Sequence, residues 1–181
     1  PHLPTTTIKI GEIDLELFEA GSGAPLIWLH GGQGFNPAQP FVSLLAAKRR
    51  LIVPLHPGFG KLSLPDWLDR MDDVAHVYLE LLDRLDLGGA ADIVGASIGG
   101  WIAAELATMV PERIRRLVMI GPVGVKVGGP DKLDIPDIFA MSQDDAAKLL
   151  FHDPEKMKPD IKDNIQRVEA MITGRGRSPR G

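Results

Sequence analysis

The spacing of apolar residues along the chain divides it into short strands and longer helices. In "TTTIKIGEIDLELFEAGSG", Ile13, Leu15 and Leu17 alternate with polar residues, which predicts two strands around Gly11. "APLIWLHGG" and the stretch from Leu51 to Leu55 are short apolar runs bounded by Gly and Pro, the form of buried strands in a parallel sheet. Between them, Pro37 to Lys48 predicts a helix opening near the Asn36–Pro37 pair. Trp67, Met71, Val74, Tyr78, Leu81 and Leu85 recur at spacings of four and three, which puts them on one face of a helix over 66–87. Asp66 is placed to cap its start, and Gly88 and Gly89 to end it. A strand at Ala91–Val94, a helix from Ile98 to about Val110 and a strand at Leu117–Ile120 follow.

Alternating strands and helices of this kind predict an α/β fold, with a mostly parallel sheet and helices on both faces. After Pro122 the texture changes. "GPVGVKVGGPDKLDIPD" reads as loop, and Ser142 to Leu150 as a short helix with Ser142 and Asp145 spaced for a capping box. Ile161, Ile165, Val168 and Ile172 mark a last helix with Pro159 near its start. The expected organisation is a core over 1–122, a cap-like helical region over 123–173 and a disordered tail over 174–181.

Composition narrows the function class. The chain has 181 residues, 44% hydrophobic and 24% charged, enough for one domain with its own core. Its net charge of -4 argues against a nucleic-acid or anionic-membrane partner. The absence of cysteine excludes disulfides and thiolate chemistry and fits a cytoplasmic protein. No apolar run is long enough to span a membrane, and "PHLPTTTIKI" lacks the blocks of a signal peptide. The missing initial Met suggests a trimmed or processed chain. Nucleotide motifs fail: "FGKL" has Leu62 where a phosphate loop needs Ser or Thr, and "GGQGFNP" lacks the third glycine of a dinucleotide turn. No His, Asp and Glu cluster has metal-ligand spacing, so neither metal nor cofactor is expected.

The chemistry concentrates in "DIVGASIGGWIAAEL". A strand must become a helix within about two residues at Ser97, which strains that backbone and lifts the hydroxyl clear of the sheet. Side chains at Gly95 and Gly99 would collide with neighbouring backbone, and Gly100, Ala103, Ala104 and Ala107 let the helix lie close. The bland alternative is a glycine-rich turn with an incidental serine. The preceding strand, the following helix and "HGG" one strand earlier favour a nucleophile turn.

"LIWLHGGQG" at 26–34, "LIVPLHPGFGKLS" at 51–63 and "DIVGASIGGWIAAELATMVPERIRRLVMIGP" at 92–122, in this order, resemble the α/β-hydrolase fold superfamily over about Ile8 to Val123. The resemblance implies Ser97 as nucleophile and an oxyanion hole built from the backbone N–H groups of Gly32 and Ile98. It implies a structural role for His30 beneath the oxyanion loop. Gln33, Phe35 and Trp101 flank the turn and are candidate substrate-binding residues, with Phe35 and Trp101 equally readable as core. His56 reads as a turn histidine and His76 as solvated. His152 could overhang the site, and Asp131 and Asp134 read as surface carboxylates.

Family members continue through two further strands that carry the triad Asp and His in the order Ser, Asp, His. No segment after Ile120 reads as a strand leading to "GxxD", and no late "GH" follows. The 181 residues therefore read as a shortened hydrolase, and Leu117–Ile120 as an open sheet edge for cap helices or a second copy to cover. The expected activity is hydrolysis of a small, fairly apolar ester or related carbonyl compound through a serine-bound acyl intermediate. Three alternatives stand beside it: cleavage of a C–C bond, binding of a small apolar ligand without turnover, and a base from an unusual place such as His152 or a partner chain.

Overall fold

The computed structural model describes residues 5–59, 64–138 and 140–154. Six strands form one sheet: β1 (Thr5–Ile10), β2 (Ile13–Ala20), β3 (Pro25–Leu29), β4 (Arg50–Pro54), β5 (Ala91–Ala96) and β6 (Ile114–Ile120). Their order is β1-β2-β4-β3-β5-β6. β1 and β2 form a hairpin, β2 runs antiparallel to β4, and β4, β3, β5 and β6 are parallel. The helices are α1 (Pro40–Ala46), α2 (Met71–Arg84), α3 (Ile98–Met109) and α4 (Gln143–Leu150). The α/β architecture expected from the pattern is the one found.

Strand periodicity sorts the core onto two faces. Ile27 and Ile52 face α2 and α3 together with Leu15, Leu17 and Ile93. Their neighbours Leu26, Leu51 and Val53 face the other way and pack with Phe18 and Val42 of α1. On α2, Val74, Tyr78 and Leu81 are fully buried, as their spacing requires.

Helix starts differ from the sequence reading in two places. At α1, the Asn36 side chain accepts from the Ala38 N–H and its carbonyl from the Gln39 N–H, so the chain makes a turn before the helix starts at Pro40. At α2, Leu68 N–H closes a turn on the Pro65 carbonyl and the helix begins only at Met71. Asp66 therefore does not cap it, and Trp67 is half-exposed. Asp72 and Asp73 supply the favourable negative charge in its first turn. α4 is capped as predicted, the Ser142 hydroxyl accepting from the Asp145 N–H. The expected last helix and tail lie outside the described residues.

From β3 the chain goes first to β4 on one side and then to β5 on the other. Such a reversal opens a crevice at the carboxyl ends of the two central strands, where ligands of open α/β sheets bind. β3 ends at "HGGQG" and β5 ends at Ser97.

Candidate active site

Ser97 lies between β5 and α3 with φ 53° and ψ -114°. Among the described residues it is the only non-glycine with positive φ, and such a conformation costs about 1–3 kcal/mol. The surrounding glycines are required by space. A Cβ at Gly95 would lie 2.3 Å from the Gly99 carbonyl oxygen, and one at Gly99 would lie 2.2 Å from that of Leu29. Gly100 is pressed against Pro122, 2.8 Å from where its Cβ would be.

The serine backbone is held from several directions. Its N–H donates to the Ile120 carbonyl at 2.9 Å, and its own carbonyl accepts from Gly100 (3.0 Å), Trp101 (3.2 Å) and Val123 (3.2 Å). The loop after β6 thus fastens onto the turn. The hydroxyl has no hydrogen-bond partner among the described residues, and the residue is partly exposed.

The "HGG" loop lies directly beside this turn: a Cβ on Gly31 would lie 3.4 Å from Ser97 Cβ. Neither the Gly32 nor the Ile98 N–H donates to a described protein group. Ile98 is the first residue of α3, so its N–H has no intrahelical acceptor.

His30 is buried beneath the loop, as the family resemblance implied. Its Nδ1 bonds the Gly31 carbonyl at 2.8 Å, and its Nε2 accepts from the His56 N–H at 3.0 Å. His56 does occupy a turn, its carbonyl accepting from the Phe59 N–H, but its ring is fully buried. Nε2 of His56 donates to the His30 carbonyl at 2.8 Å, and Nδ1 is hydrogen-bonded by the Tyr78 hydroxyl from α2. The two imidazoles lie against each other at a tilt of 36°, their centroids 3.8 Å apart. Burial lowers the His30 pKa to about 4, only partly opposed by the bond to Gly31. Burial, reinforced by the neighbouring His30, pushes His56 well below the usual imidazole range, and burial also raises the Tyr78 phenol. All three are neutral near pH 7.

The other predicted residues are dispersed. Gln33 is exposed on the loop. Phe35 is half-buried, 5.2 Å from the Phe18 ring and part of the core on the α1 face. Trp101 is half-buried against the α2–α3 core and beneath Gly124, where an added Cβ would meet its ring at 2.0 Å, and its Nε1 donates to Glu105 at 3.0 Å. His76 is exposed and bonds the Asp72 carbonyl at 2.7 Å, and His152 is exposed on the loop after α4. Asp131 is exposed, whereas Asp134 is bound into its own loop by the N–H groups of Val127 (2.9 Å) and Gly128 (2.8 Å), which hold its pKa below the usual range. No described imidazole hydrogen-bonds the Ser97 hydroxyl.

Sequence reasoning missed Asp92, a buried carboxylate at the start of β5. Arg115 grips it with two hydrogen bonds of 2.8 Å and Arg49 with one of 2.6 Å. Arg115, then Arg49, hold its pKa well below the carboxylate range against the cost of burial. It lies at the opposite end of β5 from Ser97, so its role is to fasten β4, β5 and β6. Among the described residues no His, Asp and Glu group could hold a metal, and no helix is long and apolar enough to cross a membrane.

Comparison with known proteins bears on the fold and the family. The chain is 38% identical over 139 residues to a 2-hydroxymuconate semialdehyde hydrolase of Pseudomonas sp. (strain CF600), covering 74% of this chain and 48% of that protein. It is 35% identical over 133 residues to a 2-hydroxy-6-oxo-2,4-heptadienoate hydrolase of Pseudomonas putida, covering 70% and 48%. The chain thus spans about half the length of these curated relatives. A solved serine hydrolase involved in carbazole degradation superposes with a TM-score of 0.61 at 26% identity, covering 70% of this chain and 50% of that one. A model of the alpha/beta hydrolase fold matches residues 24–175, most of the sequence, and the chain belongs to that family.

Proposed function

We propose that this protein is a serine hydrolase in which Ser97 attacks the carbonyl carbon of a small, fairly apolar substrate. The Oγ–carbon bond forms as the carbonyl π pair moves onto oxygen, and the Gly32 and Ile98 amides receive that negative charge. Loss of one such donor costs on the order of a hundred- to a thousandfold in rate. A general base takes the serine proton and gives it to the leaving group as the carbonyl pair re-forms and the bond to that group breaks. Water then adds to the acyl carbon, the Oγ–carbon bond breaks and the proton returns to Oγ. The observation that carries the reading is the strained conformation of Ser97 at the carboxyl end of β5, whose hydroxyl has no partner among the described residues. A fluorophosphonate probe tests it. Covalent labelling at Ser97, absent in Ser97→Ala, is expected. A chain that binds the hydrophobic probe without bond formation would instead fit binding without turnover.

A second reading rests on the names of the curated relatives, hydrolases of 2-hydroxymuconate semialdehyde and 2-hydroxy-6-oxo-2,4-heptadienoate. On this reading the carbonyl attacked by Ser97 belongs to a vinylogous keto acid, and the bond broken is C–C. Following the absorbance of such a dienoate on mixing with the chain, beside a p-nitrophenyl ester, separates the two substrate classes.

A further inference from the structure

The chain holds a hydrogen-bonded series of buried groups that touches no candidate substrate position yet ends on the oxyanion loop. It runs from the Tyr78 hydroxyl on α2, through the His56 ring, to the His30 carbonyl. The His56 N–H continues it to the His30 ring, and the His30 ring to the Gly31 carbonyl.

Donor and acceptor roles along this series are determined without reference to hydrogen positions. A carbonyl only accepts, so His56 Nε2 carries the proton that bonds His30, and its Nδ1 is the acceptor. Tyr78 must therefore donate. A backbone N–H only donates, so His30 Nε2 is an acceptor and its proton sits on Nδ1, where it bonds the Gly31 carbonyl. That carbonyl also accepts from the Gly34 N–H at 3.0 Å. Every peptide bond among the described residues is trans. In a planar trans peptide the carbonyl of Gly31 and the N–H of Gly32 point in opposite directions. Two donors holding the Gly31 oxygen inward thus force the Gly32 N–H outward.

We infer that Tyr78 and His56 are positioning residues for the Gly32 amide, transmitting the placement of α2 to the oxyanion loop. The inference rests on the proposed role of Gly32 in the Ser97 reaction. Its test has one arm that depends on that role and one that does not.

In the structural arm, the 15N-labelled full chain is expected to show His56 as the Nε2–H tautomer and His30 as the Nδ1–H tautomer. Tyr78→Phe, which removes one oxygen, is expected to shift the Gly32 amide resonance and speed its hydrogen exchange. In the kinetic arm, the same variant is expected to slow the chemical step of Ser97 phosphonylation about tenfold, with initial probe binding unchanged, the mark of a displaced transition-state donor. A purely structural role would lower thermal stability and leave that rate alone.

An unchanged Gly32 resonance, or the opposite His56 tautomer in the wild type, overturns the inference. So does wild-type phosphonylation in a folded Tyr78→Phe. If the wild type is not labelled at all, the Ser97 reading fails and the Gly32 resonance alone decides the positioning. Should Tyr78→Phe not fold, 3-fluorotyrosine enters this position alone, since the chain has one tyrosine. Coupled shifts of His56 Nδ1 and the Gly32 amide then support the inference, and a His56 shift with Gly32 unmoved refutes it.

Discussion

At the scale of single residues, Ser97 exchanges stability for exposure. Its φ of 53° and ψ of -114° are held because β5, α3 and the loop after β6 all fasten its backbone. Glycine adopts positive φ without the Cβ conflict. Ser97→Gly is therefore expected to relieve about 1–3 kcal/mol of strain, offset by about 0.4–1 kcal/mol of extra unfolded-state entropy. The net expectation is a gain of roughly 1 kcal/mol over Ser97→Ala, which keeps the Cβ, read from urea midpoints at equal slope. Equal stability of the two variants would show that the turn stores no strain. The local glycine pattern made this residue legible in the sequence: the crowding at Gly95 comes from Gly99 and Gly100, within five positions of the chain, whereas that at Gly99 comes from Leu29 and His30 at the end of β3. The partners of His56 were not legible: Tyr78 lies 22 residues on and His30 lies 26 residues back, and only folding brings them together.

At the scale of elements, the helix and strand faces were readable from periodicity, but the places where elements begin were not. Pro65 and Asp66 have the chemistry of a helix start, yet tertiary packing spends them on a turn and delays α2 to Met71. β6 shows the reverse case. It is longer than its apolar core suggested, because Arg115 and Arg116 extend it, and Arg115 is recruited by Asp92. The two outer strands among the described residues also differ. β1 presents Thr5, Thr6, Thr7 and Lys9, polar residues that discourage further pairing. β6 leaves Val118 and Ile120 each 50% exposed, and no described strand pairs its outer side. An open apolar edge of this type recruits other strands. Val118→Lys is expected to diminish concentration-dependent association of the chain in sedimentation velocity, while leaving its circular dichroism unchanged. Equal association of wild type and variant would show that β6 is not the surface through which copies meet.

At the scale of the whole molecule, the buried imidazole pair ties global stability to pH. His30 titrates at about 4 in the folded chain, against about 6.5 for an unperturbed histidine, and His56 is lowered in the same direction. Both are neutral when folded, so below pH ~6.5 the unfolded chain takes up protons that the folded chain refuses. Their contribution is therefore complete above pH ~6.5 and is lost as the pH falls from there toward 4. Each histidine adds a slope of up to ~1.4 kcal/mol per pH unit in that window. Asp92 has the depressed pKa of a paired carboxylate, so its contribution is present above the ordinary carboxylate value near 4 and is lost only below it. The interval from 6.5 to 4.5 accordingly isolates the imidazoles from this ion-pair cluster. Urea unfolding between pH 7.5 and 4.5 is expected to give constant stability at the upper end and a steep decline below pH ~6.5. His56→Gln removes one of the two titrations and should roughly halve that decline, whatever its effect on stability at pH 7.5. A wild-type profile that stays flat down to pH 4.5 would mean that the pair accepts protons while folded. The neutral hydrogen-bonded series beneath Gly31 could not then exist.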